Sequence, residues 1–244
     1  MSLVTGSGTA TSSGNLVIKT ANAGTLGVSG ALTFSSGTTS SQSSGEILMG
    51  TGTSAGGKGG SIQVTVGAGD TGNGGLITIF AGETSTSEAG EANSKGGSIY
   101  VDGGYHSGGA AGTHGGHIDV EGGKDATHTG GYMSLVTGTG EATSSGDFVI
   151  KTANAGTLGV SGALTFSSGT TSSQSSGEIL MGTGTSTGGK GGSIQVTVGS
   201  GNTAAGGIVT VTAGVSSADQ GGYIYATGGS SSASHICTLL GLRS

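Results

Sequence analysis

The residues of this chain best equipped for chemistry are four histidines and three carboxylates crowded into one stretch. His106, His114, His117 and His128 lie near Asp102, Asp119 and Glu121. Imidazole and carboxylate together suit a divalent metal ion. His117, Asp119 and Glu121 alternate along one segment, so an extended backbone projects all three from the same face. A metal site is the sharper expectation. A solvated polar patch marking a variable segment is the plainer and favoured one. The other constellations of catalysis and cofactor binding are missing. There is no GK[ST] phosphate loop and no dinucleotide fingerprint. The Asp-bearing nonapeptide of calcium-binding β-rolls does not occur. The single Cys237 cannot form an internal disulfide. The expectation is a non-enzymatic protein with no cofactor.

The elements that would position these residues repeat about every fifteen residues. From Ser61 a unit reads SIQVTVGAGDTGNGG, and from His117 it reads HIDVEGGKDATHTGG. Units begin at Met1 (one residue short), Asn15, Ala31, Glu46, Ser61, Leu76, Ser98, His117, Tyr132, Asp147, Ala163, Glu178, Ser193, Ile208 and Tyr223. Those at Asn15 and Asp147 have sixteen residues, and those at Leu76 and Ser98 have twenty-two and nineteen. Positions 2 and 4 of a unit are apolar, position 7 is almost always Gly, and the unit usually closes on Gly-Gly. A longer repeat lies above this one. Residues 1–69 recur at 133–201 with six differences. Met1 aligns with the interior Met133, so the start reads as falling inside a unit.

Alternating β-branched residues bounded by glycines read as strands. The expected fold is therefore all-β: a parallel β-solenoid of about fifteen-residue coils, flattened and two-sided, over residues 1–233. A strand would cover positions 1–6, a Gly turn position 7, and a second extended stretch positions 8–13. Coils stacked about 4.8 Å apart would make a rod roughly 70 Å long. Positions 2, 4 and 6 would point inward, burying Ile62, Val64, Val66, Ile99, Val101, Ile118, Val120, Ile194, Val196 and Val198. The opposite stretch offers mostly Gly, Ala, Ser and Thr, so the core would be thin. Asp102 and Glu121, both at position 5, would stack in successive coils and repel unless a cation or lysine intervened. The surplus residues of the long units would bulge around Glu83–Lys95 and Tyr105–His114. Residues 234–244 abandon the repeat and read as a cap or a tail. The competing reading is a disordered or fibril-forming low-complexity chain, since Gly makes up 58 of 244 residues. Collagen is excluded, because Pro is absent and Gly does not recur every third residue.

The outward positions 3 and 5 carry two kinds of residue. Val17, Leu48, Phe80, Tyr100, Val149, Leu180 and Tyr225 would form an apolar lateral-contact surface. Thr33, Thr65, Thr78, Thr165, Thr197, Thr210 and Thr212 would form a Thr-bearing face. A net charge of −6 argues against nucleic acid as a partner, because that needs a basic stripe. No run of eighteen apolar residues is present, so no membrane-spanning helix is expected. No signal peptide is visible in the segment.

The whole chain resembles Gly/Ser/Thr-rich β-solenoid repeat proteins, a set that includes adhesins, fibre proteins and ice-binding proteins. The resemblance implies a structural or adhesive protein that self-associates, as part of a fibre or repeated assembly outside the cell. Ice binding through the Thr-bearing face is the alternative it implies. Thr9 has Glu141 at the matching place in the second copy, and regular Thr ranks are not kept from unit to unit.

Overall fold

The computed structural model describes residues 1–9, 12–84, 95–108 and 114–229. Among these it contains no helix and no strand. The parallel β-solenoid expected from the sequence is therefore not formed. The chain divides into two units, Met1–Gly123 and Lys124–Ser244. In both, the fifteen-residue period survives as a local structure, with a bend in each repeat whose positions 10–12 are described.

Each reversal has its bend at the same place. The chain bends at 40–42, 55–57 and 70–72 in the first unit, and at 126–128, 141–143, 172–174, 187–189, 202–204 and 217–219 in the second. All of these are positions 10–12 of a repeat. The sixteen-residue repeats bend at 25–26 and 157–158 instead. There Gly27 N–H donates to Gly24 C=O at 3.3 Å, and Gly159 N–H to Gly156 C=O at 3.3 Å, each closing a four-residue turn. At one bend the backbone itself requires glycine: Gly72 has φ of 76°, the left-handed region that side chains disfavour.

Below the bend the two arms close at a neck. The last glycine donates its N–H to the C=O of the position-7 glycine. The bonds are Gly14 to Gly6 at 3.2 Å, Gly146 to Gly138 at 3.0 Å and Gly222 to Gly214 at 2.9 Å. The long repeats close identically, Gly97 to Gly82 and Gly116 to Gly104, both at 2.8 Å. Thr84 Oγ1 adds a bond to Lys95 C=O at 3.2 Å. The expected bulges fall largely on 85–94 and 109–113, outside the described residues, as do 234–244 and Cys237.

At Gly60, Gly75, Gly192 and Gly207 the position-6 side chain leaves little or no room for a β-carbon. A β-carbon added at Gly75 would stand 2.6 Å from Val66 Cγ1, and one at Gly192 would stand 2.9 Å from Thr183 Cβ. Thr51 and Thr183 also donate from Oγ1 to the C=O of Gly60 and Gly192, each at 3.3 Å. The least exposed described residues are Thr5, Thr20, Thr137, Thr152 and Ala213, all at position 6.

No described residue is buried, which corrects the expected core. Even the lowest exposures among the ten expected core residues, those of Val66 and Val198, are 46%. The chain exposes 24219 Å². A globular protein of 22.7 kDa exposes about 9,500 Å² and its unfolded chain about 33,000 Å². The alternation of faces persists without a core. Ile47 at position 2 is 55% exposed and Leu48 beside it 82%, while Ile99 is 54% and Tyr100 84%. A period of two marks positions 1–6 as an extended arm.

The failure of the solenoid has a physical reason. Alternation and glycine punctuation encode an extended arm and a reversal, and both are present. A coil stack further needs a main-chain ladder from one repeat to the next. In most repeats only two or three large apolar side chains occupy the inward positions 2, 4 and 6 that would draw coils together. It would have to order about fifteen residues, several of them Gly, whose loss of freedom on folding is the largest of any residue.

The neck gives the first prediction. In nuclear magnetic resonance spectra of the chain, Gly75→Ala should displace Val66 and shift the resonances of both arms of that repeat. Gly67→Ala, where a β-carbon would meet nothing within 4 Å, should leave the Val66 methyls in place. Equal responses to the two substitutions would contradict the closed neck.

Candidate functional site

The functional surface of a chain without a core is its arms and its bends. The bends are held by a residue the sequence reading passed over, that at position 9. Thr39 Oγ1 accepts Gln42 N–H at 3.3 Å, and its counterpart Thr171 accepts Gln174 N–H at 3.3 Å. Ser216 Oγ accepts the N–H groups of Ala218 at 3.3 Å and Asp219 at 3.0 Å. Asp125 does the same with a carboxylate. Its Oδ1 accepts Thr127 N–H at 2.8 Å and His128 N–H at 2.6 Å. Short side-chain oxygens that bond the backbone two or three residues on are the chemistry of Asx and Ser/Thr turns. A Ser, Thr or Asp two residues after the position-7 glycine was the available signal.

The histidine and carboxylate cluster is brought together only in part. His117 Nε2 lies 3.2 Å from Asp119 Oδ2, with both side chains exposed. This is the same-face pairing that alternation implied. His128 Nδ1 stands 3.6 Å from Asp125 Oδ1 and 2.7 Å from Thr127 Oγ1. No group of three His, Cys, Asp or Glu able to hold a metal ion exists among the described residues. The expected Asp102–Glu121 stack presupposed coil on coil, and that premise is absent. Ion pairs this exposed are screened by water and salt and contribute little.

Among the described residues the hydroxyls, carboxylates and imidazoles make no enclosed centre, and apolar side chains stand exposed along the arms. Val17, Leu48, Phe80, Tyr100, Val149, Leu180 and Tyr225 all stand exposed at their odd positions. Thr33, Thr65, Thr78, Thr165, Thr197, Thr210 and Thr212 are exposed as well, with no sheet among the described residues to hold them in ranks. In the second unit, Phe166 of one arm and Ile179, Leu180 and Met181 of the next line an open apolar hollow of about 270 Å³. Neighbouring arms there meet through side chains. Near the end of the described chain the Tyr223 and Tyr225 rings lie 5.9 Å apart at 44°, and Tyr223 Oη donates to Gln220 Oε1 at 2.8 Å.

No helix among the described residues is long and apolar enough to cross a membrane. No protein-family model matches the sequence, and no curated protein and no solved structure is significantly similar to it.

The bend at Asp125 carries a pH prediction. The N–H groups of Thr127 and then His128 hold the Asp125 carboxyl below the usual carboxylate range. A depressed pKa means the clasp is present at neutral pH and is lost as pH falls through that lowered value. The Thr127 and His128 amide resonances should therefore move together with a midpoint below that of an ordinary aspartate. Asp125→Ala should abolish the movement and leave the Thr171 bend unchanged. A midpoint at or above the ordinary value would contradict the clasp.

Proposed function

We propose that this chain is a non-enzymatic structural protein that works by associating with copies of itself, in a fibre or repeated assembly outside the cell. One observation carries the reading: large apolar side chains on arm after arm stand in solvent, and no described residue is buried. Contiguous exposed apolar surface marks an interface. A chain that gains no burial from its own fold gains it from a partner. The internal duplication of 69 residues at an offset of 132, 1–69 onto 133–201, supplies the same surface twice in one molecule. Low charge, with 7 basic and 13 acidic residues in 244, leaves little repulsion between copies. The extracellular setting rests on the resemblance to surface and fibre repeat proteins alone.

The test is the state of association of the purified chain across concentration, by light scattering and electron microscopy. Particles should grow with concentration, and the paired substitution of Leu48→Lys and Leu180→Lys should raise the concentration needed by at least tenfold. A chain that stays monomeric to millimolar concentration defeats the proposal. If that monomer also lowers the freezing point and shapes ice crystals, the exposed threonines carry the function instead.

A further inference from the structure

The unpaired main chain of the arms identifies how copies meet. Seven backbone-to-backbone hydrogen bonds occur among the described residues, all at necks and turns and none between one arm and another. A folded chain with the length of the 212 described residues makes about 140–155 such bonds. Arms such as 31–36, 61–66 and 76–81 therefore carry rows of N–H and C=O groups at the spacing of an extended backbone, with no main-chain partner among the described residues. The surplus surface is large as well. The 24219 Å² exposed exceeds the globular value by about 15,000 Å², several times the 1,200–2,000 Å² that a stable interface removes from water.

We infer that a second copy of this chain stacks on the first with each arm paired, main chain to main chain and in register, against the same arm of its neighbour. This rests on the self-association proposed above and names its geometry. The pairing is between molecules and restores no stacking of repeats within one chain. An identical copy is the one partner whose donors, acceptors, bends and necks all fall at the same places along fifteen unequal repeats. In-register alignment at about 4.8 Å sets each Ile, Val and Thr on its twin, the arrangement that suits β-branched side chains. The arms 31–36, 61–66 and 76–81 carry no charge, so nothing opposes alignment there. Lys19, Glu46 and Asp102 would each stack on a like charge, so added salt should promote assembly. A copy displaced by the 132-residue offset of the duplication would overlay only 112 residues, 69 of them on their near-duplicates, which favours full register.

A nitroxide label tests the geometry directly. It is placed by Thr65→Cys in a chain carrying Cys237→Ser. Dilute chain should give three resolved lines. The assembly should give one exchange-narrowed line, because labels recur about every 4.8 Å. Displaced stacking sets position 65 opposite the unlabelled position 197, and side-chain association without main-chain pairing separates the labels. Both keep three lines and overturn the inference while the proposed self-association stands. A chain that never assembles overturns both. A second variant acts on the hydrogen bonds. Val64→Pro with Val196→Pro removes two N–H groups that the isolated chain leaves unused, and should raise the concentration for assembly at least tenfold. Val64→Thr with Val196→Thr should change it less than twofold. Assembly of the proline variant at the parent concentration overturns the inference.

Discussion

In most repeats the last glycine packs against the side chain at position 6. That contact admits no β-carbon at Gly75 or Gly192, and at several other necks it is reinforced by a glycine N–H bonded to the position-7 carbonyl. With the neck closed, the bend must fall at positions 10–12 and the next arm must leave from a fixed place. The closure is wholly local, spanning eight or nine residues in an ordinary repeat. Nothing in it joins one repeat to another. The two long copies show the same necks and clasps at Thr51 and Thr183, Val66 and Val198, and Thr39 and Thr171. Local sequence alone is sufficient to set them.

A chain built from local closures without a core has a particular energetic character. Its organisation comes from short-range hydrogen bonds and steric fit, each of which contributes about 1 kcal/mol at most when exposed to water. The apolar side chains that would stabilise a globular fold are held out on extended arms. Their burial, worth about 1.5–3 kcal/mol for each Ile, Val, Leu or Phe, is left for association. The polar cluster around His117 and Asp119 is a solvated pair on one such arm, consistent with a local variation of surface.

Much of the unit was legible in the sequence, and the reason is that its determinants are local. The fifteen-residue phase, the glycine at position 7 and the alternation of Ile47 with Leu48 all correspond to features of the structure. The lateral and Thr-bearing sets could be assigned to the odd positions because extended backbone fixes the side of each residue. The stacking of coils was not legible. Alternation reports that an arm is extended and says nothing of what its main chain bonds to. Position 9 was passed over because Thr39, Asp125 and Ser216 differ in type, and only their shared hydrogen bond makes them equivalent.

Amide hydrogen exchange on dilute, monomeric chain tests the central claim most directly. Arms whose N–H groups have no partner exchange at nearly the rate of an unstructured peptide. The account predicts that rate along 61–66, 76–81 and 193–198, with modest slowing confined to the closing amides of Gly14, Gly97, Gly116, Gly146 and Gly222 and to the bonded amides of the turns and bends, such as Gly27, Gly159, Thr127, His128 and Asp219. Protection of about a thousandfold or more across the arms of the monomer would mean a ladder within the chain, and would contradict it.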